Sequence, residues 1–137
     1  MNTPSGGELV EKTQVNPWDW QDKLGFSQAW RVAGAQSVIF ISGQTPLTPD
    51  GTLVEGGFEA QVRQVYENLG TVLRQSGASF ESIVKLTIYV TDISKLADHR
   101  RVKTEFIQGE QPASTAVQVG ALAVPGMQIE VEAIALV

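Results

Sequence analysis

Within the stretch from Phe58 to Val90 the spacing of apolar residues switches from helical to alternating, and that switch limits what the chain can fold into. Val62, Val65, Tyr66, Leu69, Val72 and Leu73 fall at i, i+3, i+4, i+7, i+10 and i+11, a single stripe along a helix. Arg63, Gln64, Glu67 and Arg74 take the other side, and Gly77 stands where such a helix would stop. The spacing predicts a helix over 58–76. The following SIVKLTIYV alternates, with Val84, Leu86, Ile88 and Val90 against Lys85, Thr87 and Tyr89. That is the period of a strand with one buried face.

The flanking segments follow the same logic. Asp92 suits the N-cap of a second helix running to about Ile107, with Leu96, Val102 and Phe106 inward. The C-terminal PASTAVQVGALAVPGMQIEVEAIALV reads as two strands joined by a Gly/Pro turn. Thr115, Val117 and Val119 oppose Ser114 and Gln118; Ile129, Val131 and Ala133 oppose Gln128, Glu130 and Glu132. Upstream, 27–33 and 37–42 suit strands with Gly34 as a hairpin turn, Asp50-Gly51 marks another turn, and 8–14 suits a short edge strand. Residues 1–7 are polar, rich in Gly and Pro, and expected to be flexible.

Strands, helix, strand, helix, strands make an α+β arrangement, a mixed sheet with two helices on one face, in a single domain spanning 1–137. Its other face would carry Lys85, Thr87, Tyr89, Ser114, Gln118, Glu130 and Ser42. That mixture is too polar for a core, and it is expected to meet copies of itself in a closed cyclic homo-oligomer.

Composition removes whole classes of chemistry. A net charge of −5 gives no basic field for nucleic acid. The absence of cysteine removes disulfides, thiolate chemistry and Cys-based zinc sites. No apolar run approaches the ~20 residues of a membrane span, and the N-terminus lacks the features of a signal peptide. The expected location is cytoplasmic. No phosphate loop, dinucleotide fingerprint, G-x-S-x-G elbow or metal-ligand spacing is present, so neither metal nor organic cofactor is expected.

Some side chains remain as candidates. Glu130 sits on the polar side of an otherwise apolar strand; half-covered by a neighbouring copy, its carboxylate could act as a general base. The bland alternative is a solvated residue or an ion pair with Lys85. Glu132 presents the same choice nearer the strand end. Ser42 precedes Gly43, where a missing side chain lets a ligand approach the backbone; the alternative is a turn-forming serine. The sole histidine, His99, lies in DHRRVK and reads as a solvated helix residue. Arg100, Arg101 and Lys103 read as a solvated helix face or an anion-attracting rim.

ISGQTP at 41–46, Gln61 and Asn68-Leu69 in the helix, SIVKLTIYVTDI, PAST at 112–115 and EVEAIA at 130–135 resemble the RidA/YjgF family. Its members are also called reactive-intermediate deaminases, and older labels include L-PSP endoribonuclease and translation inhibitor. The resemblance runs from about Gly25 to Val137. It implies a chorismate-mutase-like fold and a homotrimer with small-molecule clefts between subunits. It also implies cofactor-free hydrolysis of 2-imino or 2-enamino acids: an arginine binds the carboxylate, a glutamate positions water, and ammonia leaves. The glutamate position falls on Glu130 and the Ser-Gly-Gln block on Ser42, Gly43 and Gln44. The arginine position is Ser114, the small residue two beyond it is Ala116, and the family's aromatic hydroxyl falls on Phe26 in GFSQ.

Losing one member of a bidentate guanidinium–carboxylate pair typically costs ~2–5 kcal/mol, so imine deamination lacks its usual anchor here. Arg31 or Arg100 is left as a possible replacement. Three functions follow. The first is a trimeric protein with a small-ligand cleft at Phe26, Ser42, Gly43, Arg100, Ser114 and Ala116, whose ligand would be uncharged where the family's carries its carboxylate. The second is an imine deaminase with Glu130 as its catalytic residue. The third is an RNA-acting protein, disfavoured by the acidic balance.

Overall fold

A computed structural model describes residues 10–137, so the flexibility expected of residues 1–7 lies outside the described residues. Strands β1 (Glu11–Val15) and β2 (Ala29–Ala33) form an antiparallel ribbon. A second sheet holds β3 (Val38–Gln44), β4 (Ile83–Val90), β5 (Ala113–Gln118) and β6 (Ile129–Leu136) in the order β3-β6-β4-β5. Only β4 and β5 run parallel. Helices α1 (Gly57–Gln75) and α2 (Leu96–Phe106) cover one face. This is the mixed-sheet α+β layering that the periodicities imply.

Helix α1 buries the expected stripe, with Val62, Val65, Tyr66 and Leu69 fully enclosed. It ends as its glycine dictates: Gly77 takes a left-handed φ of 79° and the Ala78 amide donates to the Leu73 carbonyl at 2.8 Å. Against the stripe lie Leu86, Ile88 and Val90 of β4 and Ile129 and Val131 of β6. Each such side chain contributes ~1.5–3 kcal/mol of burial. Asp92 caps the turn that opens into α2, its carboxylate accepting from the Ser94 amide at 3.0 Å.

Four local expectations are corrected. Gly34 does have a left-handed φ of 79°, but β2 and β3 form no hairpin. β2 pairs with β1, whereas β3 pairs with the C-terminal strand; the Gln36 and Ser37 amides both donate to the Val137 carbonyl at 2.8 and 2.9 Å. β5 and β6 are likewise not neighbours, because β4 lies between them. At the start of β4 a register shift turns Ile83 inward in place of Val84.

The fourth correction matters most for the site. Parallel pairing sets Ser114 opposite Leu86 and Ala116 opposite Ile88. Paired residues share a face, so Ser114, Ala116 and Gln118 point to the helix side. Thr115 and Val117 take the open face in their stead, where Lys85 Nζ donates to Thr115 Oγ1 at 2.8 Å. Strand alternation was legible in this segment, but its sense was not: small and polar residues sit on both sides.

Candidate functional site

The loop before β2 is held against β5 by one buried serine. Ser27 donates its amide to the Pro112 carbonyl at 3.1 Å and its hydroxyl to the Gln111 carbonyl at 2.5 Å. This brings Phe26 beside Ser114 and Ala116, with Ile88 behind them. Helix α2 closes the other side with Leu96, His99, Arg100 and Lys103, leaving a cavity of about 330 Å³. Four of the expected ligand-binding residues, Phe26, Arg100, Ser114 and Ala116, therefore meet in one place. Arg31 does not; it is exposed on the ribbon, opposite Thr13.

Two residues read as solvated prove to be buried in this pocket's wall. His99 is 4% exposed and Lys103 is 3% exposed. A 2.7 Å hydrogen bond joins His99 Nε2 to the Tyr66 hydroxyl, and Lys103 Nζ donates to the Gly25 carbonyl at 2.6 Å. Burial, with the positive charges of Lys103 and Arg100 adding to it, lowers the His99 pKa to about 3. Burial and Arg100 lower that of Lys103 to about 8. The signal was present in the sequence: residues 96, 99, 103 and 106 follow the same i, i+3, i+7, i+10 spacing that marked α1. The charged neighbours of His99 hid it. Of that basic run, only Arg101 behaves as a solvated surface residue; it pairs with Glu59 at 2.6 Å and with Asp98 at 3.7 Å.

Gly25 serves this pocket twice. Its φ of 73° is left-handed, and a Cβ there would lie 3.2 Å from Arg100 Cγ, so the arginine stem rests directly on its backbone.

Ser42, Gly43 and Glu130 form a second cluster. Glu130 pairs with Tyr89 on the open face, and its side chain lies on Gly43: a Cβ there would overlap the carboxylate, with the carboxyl carbon only 2.6 Å away. Gly43 sits in the bulge between β3 and β6. Ser42 is exposed beside it. The suggested pair of Glu130 with Lys85 does not form, since Lys85 bonds Thr115 and the Leu86 carbonyl. Glu132 instead accepts from the Tyr89 hydroxyl at 3.2 Å. Among the described residues Glu130 has no ion pair and no side-chain hydrogen bond, and no group of three His, Asp or Glu side chains is arranged to hold a metal.

The remaining blocks quoted for the resemblance act as braces. Asn68 Nδ2 donates to the carbonyls of Thr45 and Leu47 at 2.9 and 2.8 Å, fixing the segment after Gly43. Buried Gln61 bonds the Gly126 carbonyl at 2.9 Å and the Gln128 amide at 2.7 Å, fixing the entry to β6 and hence Glu130.

Residues 21–137 match the family model described as Endoribonuclease L-PSP. The chain belongs to the RidA/YjgF family. The yeast protein HMF1 (Saccharomyces cerevisiae) is 38% identical over 110 residues, 80% of this chain and 82% of that one. A mouse 2-iminobutanoate/2-iminopropanoate deaminase is 38% identical over 112 residues, 81% of this chain and 80% of the relative. In three dimensions the crystal structure of the Rid-family protein YyfB from Yersinia pestis, itself of unknown function, overlays with a TM-score of 0.84 at 31% identity. That match covers 92% of this chain and 98% of YyfB. Within this Rid-family chain no helix of the described residues is long and apolar enough to cross a membrane.

Proposed function

We propose that this chain is a self-associating Rid-family protein that needs no cofactor and binds a small organic ligand in a cleft shared between copies. The pocket at Ser114 on one copy would meet Glu130 of the next. One observation carries this reading: the two halves of the site lie on opposite faces of the same sheet. Ser114 points to the helices, and Glu130 leans on Gly43 on the open side. No side-chain motion within one copy brings them together across a hydrogen-bonded sheet. A second copy, entering past the free edge of β5, would.

The open face supports association. Phe40 is 78% exposed there and Val38 53%, beside the unpartnered Glu130 carboxylate. Apolar surface grouped on one sheet face is a usual mark of a protein interface. A ring of three would cover each copy's face with its neighbour. The chemistry open to such a cleft is hydrolytic. Glu130 would take a proton from water as it adds to an imine carbon and pass it to the nitrogen; collapse of the adduct to the carbonyl, with the hydroxyl proton also moving to nitrogen, would break the C–N bond and release ammonia.

With Ser114 at the family's arginine position and no ring on the substrate to lie against Phe26, short-chain 2-imino acids are held too weakly for that reaction to be efficient. Ammonia release from 2-aminoacrylate generated in situ is the test. The expected result is no acceleration over buffer by the unmodified protein. Acceleration that disappears in Glu130→Ala would replace this reading with that of a true imine deaminase, the activity of the mouse relative. RNA cleavage is the weakest alternative. His99, which acid–base catalysis of that kind would need, is buried and bonded to Tyr66.

A further inference from the structure

Most lysines and arginines of the described residues have no acidic partner, but Lys103 is the one among them that is buried. Arg63 and Arg101 are matched by Glu59, Glu105 and Asp98. Among the described residues neither Arg100 nor Lys103 has an acidic partner, although the protein as a whole carries −5. Lys103 is almost wholly enclosed and has one neutral acceptor, the Gly25 carbonyl. Two cations with no counter-charge lining one cavity leave electrostatic potential that a bound anion would satisfy.

The cavity also carries one aromatic ring, and that ring is packed against others outside it. Phe26 lines the cavity. Trp20 packs edge-on to it with ring centroids 6.0 Å apart, and Trp18 stacks on Trp20 at 6.1 Å. Trp18 and Trp20 are 57% and 52% exposed. A run of ring contacts therefore joins the one aromatic side chain of the cavity lining, Phe26, to two exposed tryptophans outside it. Ser114 and Ala116, both short, leave the space between Phe26 and helix α2 open.

We propose that the ligand of this cleft is an aryl-bearing carboxylate, its anionic head held by Arg100 and Lys103 and its ring laid against Phe26 and Trp20. Residue 114 then contributes a hydroxyl hydrogen bond, and the guanidinium that grips the carboxylate comes from the helix rather than from β5. This rests on the reading of the cavity as a small-ligand site, and it replaces the uncharged ligand expected from the serine alone. An arginine reaching in from α2 displaces the head group, which explains why residue 114 can be small. The aromatic arm then recognises the far end of a ligand larger than a short-chain imino acid.

The test uses the full chain and three probes that differ in one feature each: 3-phenylpropionate, 3-phenylpropanol (same ring, no charge) and propionate (same charge, no ring). Binding is read by calorimetry, with quenching of Trp18 and Trp20 fluorescence as a second signal. The expected order places phenylpropionate about tenfold or more tighter than either other probe. Arg100→Gln should remove the preference for the acid over the alcohol and leave the alcohol's affinity unchanged. Trp20→Ala should weaken both aryl probes and not propionate. Equal binding of the acid and alcohol by the unmodified protein overturns the inference without any variant, as does failure of all three probes to bind. These failures differ from failure of the cleft between copies, which appears as a monomer in sedimentation whatever the probes do.

Discussion

Acidification tests the placement of His99 directly, because the chain has only one histidine. Buried against Tyr66 and facing Lys103 and Arg100, its imidazole takes a proton only near pH 3, against an ordinary value of 6.5. Above pH 6.5 the ring is neutral in both folded and unfolded chains and has no linked effect. Below 6.5 the unfolded chain gains a proton that the folded chain refuses, so stability falls as pH falls, by at most about 1.4 kcal/mol per pH unit. Between pH 6.5 and 5 that amounts to about 1–2 kcal/mol. The carboxylates held low by partners, Glu59 and Glu105 by arginines and Asp50 and Asp92 by hydrogen bonds, act on another window. Their stabilisation is present above their ordinary values of 3.8–4.5 and is lost only as pH falls below them. Urea unfolding at fixed protein concentration, at pH 7, 6 and 5, should therefore show a decline in the unmodified protein that His99→Gln largely abolishes. Glutamine can still bond the Tyr66 hydroxyl, and the comparison is of the slopes alone and not of the absolute stabilities. Equal slopes in the two proteins would mean that the imidazole is solvated, and the enclosed wall of the pocket would be wrong with it.

Other positions give equally direct outcomes. Gly43→Ala pushes a methyl group into the Glu130 carboxylate and should swing that flexible side chain off the bulge, at a cost below about 1 kcal/mol in chemical unfolding; a Glu130 carboxyl NMR signal that does not move would show that Glu130 does not rest on Gly43. Asn68→Ala removes two bonds to carbonyls and should cost about 1–3 kcal/mol, with the loop after β3 becoming the first site of limited proteolysis. Phe40→Asp places a charge on the most exposed apolar side chain of the open face; sedimentation velocity should show smaller species at equal concentration, and an unaltered distribution would move the interface elsewhere.

What the sequence could reveal depended on whether neighbouring residues agreed. Along α1, stripe and polar face are cleanly separated, and the helix ends were readable to within one residue. Along β6 the sense of alternation was equally plain, since Ile129, Val131 and Ala133 have only Glu130 and Glu132 between them. In β5 the alternating residues are Ser, Thr, Ala and Val, and the valine, usually an inward residue, takes the open side here. The pairing partner had to decide, and that partner, β4, is distant in sequence. The same holds for β2 and β3: a glycine with positive φ signals a turn, but not whether the strands it joins will pair. In α2 charge concealed periodicity. A buried lysine or histidine is rare enough that DHRRVK reads as surface until Gly25 and Tyr66 are seen to satisfy both.

The site shows the same tension between local pattern and assembled geometry. Matching residues one by one puts Glu130 at the family's glutamate position and Ser114 at its arginine position, from which a neutral ligand follows. The fold adds what that matching omits: helix α2 lines the same cavity as the serine, and Arg100 and Lys103 supply positive charge from a different element. A pocket's charge belongs to the space enclosed, and not to a single alignment column. Ser114 is best understood together with that helix, since an arginine side chain at 114 would enter a cavity that already contains two unneutralised cations, at close to the cost of burying a third.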